Sequence, residues 1–541
     1  MPRVLVSDTI SDKGLEILKS SPALEVTYKP GLKEAELAAE IPGYDALVIR
    51  SGSKVTAQVI EASHAGGGKL KVIGRAGIGV DNVDVPAASK RGIVVMNTPT
   101  GNAVTTAEHA ISLIFSVARR VPQATASMKQ GKWEKTKFSG RELAGKTLGV
   151  LGLGNIGRIV ADRAKGLKMN VVAYDPVLSA DRAAALGVEL VSLDELWSRA
   201  DVITAHTPLT AETKGLVNDA SIAKMKKGVL LVNAARGGIY DEGALLRGLE
   251  SGKIGGVALD VFVEEPPKAE STLALLKHDL VICTPHLGAS TEEAQERVVL
   301  EIAEQVVAYL TTGTITNAVN VPSVPREIAE KLAPYLDLAQ KLGSFLAQVA
   351  SPGAEARSIE VECNGEAATL GTTALVHTAL AGYLAHWMEG GTVNAVSAPV
   401  LAQDRGIEVK KLTSVTPARK GFATLLSLRV KDAQGKVACV EGTLAHDGTP
   451  RLTSLAGYDL DAHLSPNVLV IENEDKPGVI GAIGTLLGKR GINVSRMQLG
   501  LDPKSKKAVA VWAIDAPIPG DALAEVRGVA GVQRAVTVSL P

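Results

Sequence analysis

The chain has 541 residues, of which 46% are hydrophobic and 3% aromatic, and its 58 basic residues balance 58 acidic ones. This length predicts three or four globular domains, and the composition excludes a disordered protein. The charge balance and the lack of a long apolar stretch argue against nucleic-acid and membrane partners. The three cysteines are far apart, which argues against a metal site or a disulfide framework, so we expect buried thiols in a cytoplasmic protein.

The first part of the chain alternates short β-branched runs with helical patterns, starting at "RVLVSD" and continuing through "DALVIRSG" and "GIVVMNTP". Apolar strands separated by helices predict a parallel sheet covered on both faces. We therefore predict a doubly wound, flavodoxin-like substrate-binding domain formed by residues 1–98 and 287–320. A later helix is expected to pack back on this unit through one apolar stripe, made of Ala294, Val298, Ile302, Val306 and Leu310.

Residues 99–286 are predicted to form an inserted Rossmann domain, because strands such as "TLGVLGLG" and "DVITAHTP" again alternate with helices. Gly152, Gly154 and Gly157 form the pattern G-x-G-x-x-G directly after a strand and at the start of a helix, where backbone amides and the helix dipole face a pyrophosphate. Asp175 ends the next strand, placed for the ribose hydroxyls of adenosine, and no arginine follows it at once. This pattern predicts NAD, rather than NADP, as the cofactor.

Three polar residues follow successive strands of this unit: Arg236 in "LVNAARGG", Glu265 in "DVFVEEPP" and His286 in "TPHLGAS". Open α/β sheets place their ligand crevice at such strand ends. An imidazole is suited to take the hydroxyl proton when hydride leaves an alcohol, and a neighbouring carboxylate stabilises the imidazolium. A guanidinium holds a substrate carboxylate in a two-pronged contact. Each residue alone reads equally well as a surface charge, a solvated acid or a helix cap, but together they predict a catalytic set.

The pattern changes after "NAVNVPSVPREI", where two prolines mark a domain boundary. Residues 328–455 mix helices and strands without a glycine fingerprint, which predicts an α+β intervening regulatory domain. Residues 466–541 read as strand, helix, strand, strand, helix and strand, which is the order of a small ferredoxin-like unit.

Several of these motifs resemble the signatures of the D-isomer-specific 2-hydroxyacid dehydrogenases: "GLGNIG" with Asp175, "VNAARGGIYDEGAL", "ALDVFVEEPP" and "CTPHLGAS". The resemblance covers residues 1 to about 320 and implies catalytic roles for Arg236, Glu265 and His286. It also implies a set of coenzyme contacts, carried over by position in these motifs: Gly152, Gly154, Asn155, Ile156, Gly157, Asp175, Thr207, Ala234, Asp260 and Gly288.

Within this family, "GRAGIGVDNVD", "VMNTPTGN" and "ATASMKQGKWEKTKF" are most similar to the members that oxidise 3-phospho-D-glycerate to 3-phosphohydroxypyruvate, the first step of phosphorylated L-serine biosynthesis. That substrate requires a phosphate site. Arg50 and Arg75, each just past a strand, are our candidates for this phosphate site. The alternative is that both are ordinary solvated charges at the ends of strands. The remaining substrate-binding candidates are Ser51, Gly52 and Asn97.

Two further features bear on this site. Lys132, Lys135 and Lys137 form a basic cluster that reads first as a solvated face, and in relatives such a cluster serves a neighbouring subunit's site. Ile78 departs from the small hydroxyl residue that some relatives carry beside the nicotinamide, so we expect an apolar contact there.

The last segment, "VIENEDKPGVIGAIGTLLGKRGINVSRMQLG", resembles an ACT domain, a small module that senses amino acids, and the middle segment resembles the intervening domain of the longest family members. The resemblance implies Asp475 and Asn493 as contacts for L-serine as an effector. Asp475 reads equally as a turn or N-cap acid, and the module as a dimerisation unit. The helix "NAVTTAEHAISLIFSVARR" is apolar over more than one face, which predicts a homo-oligomer, either a dimer or a tetramer.

Two other functions stay open on the sequence alone. One is an NAD-dependent reductase of another 2-oxo acid, such as 2-oxoglutarate or hydroxypyruvate, for which Arg50 and Arg75 would have no phosphate to bind. The other is a non-catalytic NAD-sensing corepressor or scaffold, which would bind the dinucleotide without turnover.

Overall fold

The computed structural model describes residues 1–322, 326–350, 356–388, 393–416, 422–502 and 506–541. The second proline of the predicted boundary, Pro325, lies outside these residues. Within them, no helix combines enough length and apolar character to cross a membrane.

The N-terminal lobe is built on a parallel sheet of five strands. In chain order its elements are β1 (Arg3–Val6), α1 (Asp12–Ser20), β2 (Glu25–Tyr28), α2 (Glu34–Glu40), β3 (Ala46–Ile49), α3 (Ala57–Ala62), β4 (Val72–Arg75), α4 (Val85–Lys90) and β5 (Val94–Met96), with short 3₁₀ helices at Ile41–Gly43 and Ala65–Gly67. The strand order is β2-β1-β3-β4-β5, and β3 is buried throughout because helices cover both faces. The predicted flavodoxin-like lobe is confirmed.

The second lobe is a parallel sheet of seven strands. Its elements are α5 (Ala103–Arg119), α6 (Val121–Lys129), β6 (Thr147–Leu151), α7 (Asn155–Gly166), β7 (Asn170–Tyr174), α8 (Ala180–Ala185), β8 (Glu189–Leu190), α9 (Leu193–Arg199), β9 (Val202–Ala205), α10 (Asp219–Lys224), β10 (Val229–Asn233), α11 (Glu242–Glu250), β11 (Ile254–Leu259), α12 (Glu270–Leu276) and β12 (Val281–Cys283). The order β12-β11-β10-β9-β6-β7-β8 is that of a Rossmann sheet with one added strand, which confirms the predicted fold.

The chain returns to the first lobe through α13 (Glu292–Thr312), which packs on α1 and β4. Gly74 in β4 has no side chain, and a Cβ there would lie 2.9 Å from Ile302 and 2.8 Å from Val306. The apolar stripe of α13 therefore packs directly on the sheet, as predicted, although Leu310 at its end is only partly buried.

The remaining residues form two further sheets. The middle unit contains α14 (Arg326–Val349), β13 (Ala356–Gly365), a 3₁₀ helix (Glu366–Thr369), α15 (Thr372–Ala385), α16 (Ser397–Asp404), β14 (Glu408–Ser414), β15 (Thr424–Asp432), β16 (Val437–Leu444), β17 (Pro450–Leu455) and β18 (Tyr458–His463). The last unit contains β19 (Asn467–Glu474), α17 (Val479–Lys489), β20 (Val494–Asp502), β21 (Lys507–Ile514), α18 (Gly520–Arg527) and β22 (Val532–Ser539). Its antiparallel order, β20-β21-β19-β22, confirms the ferredoxin-like prediction.

One hydrophobic core joins these two C-terminal units. Helix α14 contributes Leu338 and Leu342, and one face of the four-stranded sheet contributes Val470, Val511 and Val538 to the same buried cluster. The opposite face of that sheet packs on α17 and α18 through a separate core. Because they share buried side chains, we expect the two units to unfold as one cooperative block.

The middle unit also touches the first lobe through α16 and α4. Asn394 Nδ2 donates to Gly92 O at 2.8 Å, and Lys90 forms an ion pair with Asp404 at 2.7 Å. The C-terminal block is thus in direct contact with the helix that connects β4 to β5.

The three cysteines differ in burial. Cys363 is buried and Cys439 is half-buried, but Cys283 is exposed, so the prediction of buried thiols is wrong at that position. The reason is that Cys283 ends β12, which is the edge strand of its sheet.

Candidate active site

The predicted catalytic residues come from the loops after three neighbouring strands. Arg236 follows β10, Glu265 follows β11 and His286 follows β12. Strands β10, β11 and β12 are adjacent and parallel, so their carboxyl ends meet at one edge of the sheet. The strand order therefore brings these three residues to the same edge of the sheet, although they are far apart in the sequence.

His286 and Glu265 are paired directly. His286 Nδ1 lies 2.7 Å from Glu265 Oε2, and Glu265 Oε1 accepts a hydrogen bond from Phe262 N at 3.1 Å. Because an ionised carboxylate only accepts hydrogen bonds, this contact makes Nδ1 the donor and leaves Nε2 as an acceptor. The His286 side chain is half-exposed, so Nε2 is accessible to a small molecule.

A buried carboxylate, Asp260, fixes the loop that carries His286. It accepts hydrogen bonds from Thr284 Oγ1 at 2.5 Å, Leu287 N at 2.7 Å and Gly288 N at 2.8 Å, and it lies 3.2 Å from His109 Nε2. Burial acts to raise the pKa of this carboxyl, but the hydrogen bonds, led by that of His109, outweigh it and the pKa is lowered. The ionised Asp260 therefore holds the loop that carries His286 in place through these hydrogen bonds.

Arg236 crosses the crevice between the lobes. Its Nε donates to Asp81 Oδ2 at 3.0 Å, and its Nη1 donates to Ala235 O at 2.7 Å. Asp81 belongs to the loop after β4 in the first lobe. The guanidinium is thus held by both lobes, with its Nη2 edge left for another partner.

Two further arginines belong to the first lobe, and one of them, Arg75, lies near Arg236. Arg50 follows β3, and Arg75 ends β4. The pKa of Arg75 is lowered to about 10, first by burial and then by the nearby charges of Arg236 and, more weakly, Arg50, while Asp81 opposes the shift. Arg75 Nε is buried and has no hydrogen-bond partner among the described residues. Arg75 is thus near both Arg236 and Arg50, whose Nη1 donates to Thr9 O at 3.2 Å, and a group of guanidinium side chains of this kind suits an anion.

The loop that carries Arg50 is shaped by Asp8. Asp8 Oδ2 accepts hydrogen bonds from Arg50 N at 2.6 Å and Ser53 N at 3.1 Å. A Cβ at Gly52 would lie 2.7 Å from Asp8 Oδ1, so a glycine is needed for this approach. Ser51 and Gly52 are themselves exposed.

Asn97 and Ile78, the other residues singled out near this site, contact each other. The buried Asn97 side chain donates from Nδ2 to Ile78 O at 2.5 Å. Asn97 therefore supports the backbone of the β4 loop. The lysines of the basic cluster, Lys132, Lys135 and Lys137, are all exposed.

The glycine turn fits a dinucleotide. Gly152 has φ of +91°, and a Cβ there would lie 2.8 Å from Thr207 Cγ2. A Cβ at Gly157 would lie 1.9 Å from Gly152 O, which shows how closely α7 packs on the turn. Around Gly154, by contrast, a Cβ would meet nothing within 4 Å among the described residues. Open space therefore faces the amino end of α7, where a pyrophosphate binds.

The other coenzyme candidates surround this opening. Asp175 accepts hydrogen bonds from Leu153 N at 2.8 Å, Val177 N at 2.9 Å and Leu178 N at 3.1 Å, and of the four lone-pair positions of its carboxylate one is left for a ribose hydroxyl. Thr207 Oγ1 is buried and has no hydrogen-bond partner in the described part of the chain. Half-buried Asn155 donates to Pro99 O at 3.1 Å, which ties the turn to the segment between β5 and α5. Ile156 is half-buried in the first turn of α7, and Ala234 is buried directly after β10.

The proposed effector contacts lie far from this crevice in the fold. Asp475 follows β19 and Asn493 precedes β20, and both are exposed. Their backbone amides are held by Lys506 O at 2.9 Å and by Asp515 Oδ1 at 3.1 Å.

The sequence reasoning missed Asp8, Asp81 and His109. Asp8 directly follows β1, so the strand-end rule that found Arg236 would also have found it. Asp81 and His109 have no such signal, because their partners come from elements distant in the sequence.

Comparisons with known families match three segments of the chain. Residues 111–288 match the family described as D-isomer specific 2-hydroxyacid dehydrogenase, NAD binding domain. Residues 331–456 match the D-3-phosphoglycerate dehydrogenase intervening domain, and residues 467–530 match the ACT domain.

Full-length relatives and solved structures agree with these matches. A D-3-phosphoglycerate dehydrogenase of Synechocystis sp. is 42% identical, over 100% of this chain and 95% of that protein. A D-3-phosphoglycerate dehydrogenase of Bacillus subtilis is 38% identical over 100% of both. The crystal structure of D-lactate dehydrogenase from Aquifex aeolicus, complexed with NAD and lactic acid, superimposes with a TM-score of 0.52 at 28% identity, over 59% of this chain and 100% of that chain.

Proposed function

This chain belongs to the D-isomer-specific 2-hydroxyacid dehydrogenases, among the D-3-phosphoglycerate dehydrogenases, and from this premise we propose that it oxidises 3-phospho-D-glycerate to 3-phosphohydroxypyruvate in the first step of phosphorylated L-serine biosynthesis. NAD is the cofactor.

The observation that carries the proposal is one crevice holding both an imidazole–carboxylate pair and three guanidinium groups. His286 and Glu265 form the pair, at 2.7 Å, and Arg236 lies at the same sheet edge. Arg75, in the other lobe, lies near both Arg236 and Arg50. A phosphate dianion and a carboxylate on one small molecule match this amount of positive charge, whereas an unphosphorylated acid matches only part of it. The charge therefore favours phosphoglycerate over the other 2-oxo acids.

The proton of the substrate hydroxyl goes to His286 Nε2, because Nδ1 is committed to Glu265. Glu265 stabilises the imidazolium that forms, and in the reverse reaction the same imidazolium returns the proton. Arg236 holds the substrate carboxylate through the Nη2 edge and polarises the neighbouring carbonyl in the reductive direction. Arg50 and Arg75 hold the phosphate, with Ser51 and Gly52 beside them.

The cofactor is held by the groups around the glycine turn. The open space at Gly154 would admit the pyrophosphate to the amino end of α7, and Asp175 would accept from a ribose hydroxyl. The buried Thr207 hydroxyl, which has no hydrogen-bond partner among the described residues, would be available to the dinucleotide. When bound, NAD supplies the acceptor for the hydride that leaves the substrate carbon.

A substrate panel followed by NADH absorbance tests this function. We expect turnover with 3-phospho-D-glycerate and much lower kcat/KM with D-glycerate and D-2-hydroxyglutarate. Equal or higher kcat/KM with either unphosphorylated acid would support the alternative reductase. NAD binding without turnover of any acid would support the corepressor alternative, against which the intact His286, Glu265 and Arg236 set speaks.

We also propose that L-serine binds the ACT domain and inhibits. The Asp475 carboxylate is suited to the ammonium group of an amino acid, and the Asn493 amide is suited to both of its ends. Asp475→Ala should raise the serine concentration needed for half-inhibition about tenfold, whereas Asp447→Ala, in an exposed turn of the middle unit, should not change it. If serine does not inhibit the wild-type protein, the proposed inhibition is contradicted, and the alternative that the domain serves dimerisation is supported.

The active protein is proposed to be a homo-oligomer, a dimer or a tetramer, in the cytoplasm, where its three free thiols stay reduced. Helices α5 and α6 and the loop after them expose large apolar side chains: Phe115, Val121, Met128 and Trp133. Such a patch fits a second copy of the chain. Sedimentation velocity should show a shift to smaller species for Met128→Asp but not for Val177→Asp, whose side chain is 90% exposed.

A further inference from the structure

The loop after β4 carries an acidic side chain that reaches the opposite lobe. Asp81 Oδ2 lies 3.0 Å from Arg236 Nε, and the two residues are 155 positions apart. This ion pair joins the two lobes directly across the crevice. It lies beside Arg75, at the place where the proposed substrate has to bind.

Hydrogen bonds on both sides hold the Asp81 loop in place. Asn82 Nδ2 donates to Arg50 O at 2.7 Å, and Asn97 Nδ2 donates to Ile78 O at 2.5 Å. The loop is therefore tied to the two segments that carry other substrate candidates. A carboxylate on a loop supported in this way has a fixed direction, unlike an isolated surface acid.

Two of the three nitrogens of the Arg236 guanidinium are held by hydrogen bonds, and the third packs near Gly79. Nε donates to Asp81, Nη1 donates to Ala235 O, and Nη2 lies where Gly79 has no side chain, 2.0 Å from the position that a Cβ would take. The Asp81 carboxylate also offsets the repulsion between Arg236 and Arg75, because it acts against the lowering of the Arg75 pKa. The Asp81 carboxylate thus both orients the Arg236 guanidinium and compensates part of the positive charge around it.

We propose that Asp81 is a positioning residue that fixes the Arg236 guanidinium across the crevice, so that its Nη2 edge meets the substrate carboxylate. The inference rests on the proposed function. Since the Asp81 side chain is 72% exposed, the ion pair adds little to folding stability. We expect the ion pair to affect kcat/KM instead, because a small misorientation of a group that holds the substrate lowers the reaction rate strongly.

Three single variants measure this effect. Asp81→Ala should lower kcat/KM for phosphoglycerate by about tenfold or more, with the KM for NAD and the Tm near the wild-type values. Asp81→Asn keeps an oxygen that accepts from Nε and should recover most of the loss. Asp84→Asn is the control, because this acid of the same loop caps α4 by accepting a hydrogen bond from Ala87 N at 3.0 Å.

A double-mutant cycle with Arg236→Gln separates positioning from general damage. With no guanidinium to orient, Asp81→Ala should cost less than about twofold in that background. Equal losses in both backgrounds would overturn the positioning role, and so would an unchanged kcat/KM in Asp81→Ala alone. Wild-type protein that produces no NADH from phosphoglycerate would contradict the proposed function instead, so the two failures are distinguishable.

Discussion

Residues 1–320 and residues 326–541 bring their polar side chains together in different ways. In the first half, each catalytic candidate lies in the loop after a parallel strand, so the sheet order places Arg236, Glu265 and His286 at one edge. In the second half, the strands are mostly antiparallel, and the effector candidates Asp475 and Asn493 are exposed in separate loops. In the first half, the catalytic candidates therefore lie together at one edge of a parallel sheet. In the second half, the main organising feature is a hydrophobic core that two units share.

The largest expected effect tests the chemistry of the first half. His286→Ala should lower kcat about a thousandfold, because it removes the group that takes the hydroxyl proton. His446→Ala, in the second half, should leave kcat unchanged. Steady-state kinetics on both variants checks this prediction. A comparable loss of kcat in the two variants would contradict the assignment of catalysis to the first half of the chain.

The next effect sharpens the assignment of the anion site. Arg75→Ala should raise the KM for phosphoglycerate about thirtyfold, since a charge-assisted phosphate contact is lost. The KM for D-glycerate serves as the internal control and should change little. A similar rise for both acids would remove Arg75 from the phosphate site and favour the reductase alternative.

A matched pair of glycines compares the two halves directly. Gly154 and Gly481 both have open space where a Cβ would stand. Gly154→Val should raise the KM for NAD at least about tenfold, because the side chain occupies the space of the pyrophosphate, while Gly481→Val in α17 should leave it unchanged. Unaltered NAD kinetics in Gly154→Val would place the dinucleotide elsewhere.

The smallest effect on turnover belongs to the second half. Leu342→Ala removes a fully buried side chain from the shared core and should lower the free energy of unfolding of that block by about 3 kcal/mol, with kcat at 25 °C nearly unchanged. Hydrogen exchange should then speed up in both C-terminal units together. Faster exchange confined to α14 and its own sheet would show that the units unfold independently.

The doubly wound lobes and the ferredoxin-like unit could be predicted because strand and helix periods alternate clearly in those segments. The catalytic set could be predicted because each member directly follows an apolar strand. Asp81 could not, since its significance lies in a partner 155 residues away in the other lobe. The middle sheet was harder for a different reason: its edge strand β14, "EVKKLTS", is almost entirely exposed and has no buried face to give a pattern.

The shared core was likewise hidden, because each unit has enough apolar residues to be read as a separate domain. Only the packing shows that α14 contacts β22 and that one face of β19, β21 and β22 shares a buried cluster with this helix. The burial of Cys283 was misjudged for a similar reason, since the sequence does not say which strand lies at the sheet edge.

The central claim is that one crevice oxidises a phosphorylated hydroxy acid with NAD. A time course of NADH absorbance with saturating NAD and 3-phospho-D-glycerate tests it most directly. The account predicts NADH well beyond one equivalent of enzyme for the wild type, and almost none for His286→Ala. No NADH above one equivalent from the folded wild-type protein, or equal amounts from both proteins, would contradict it.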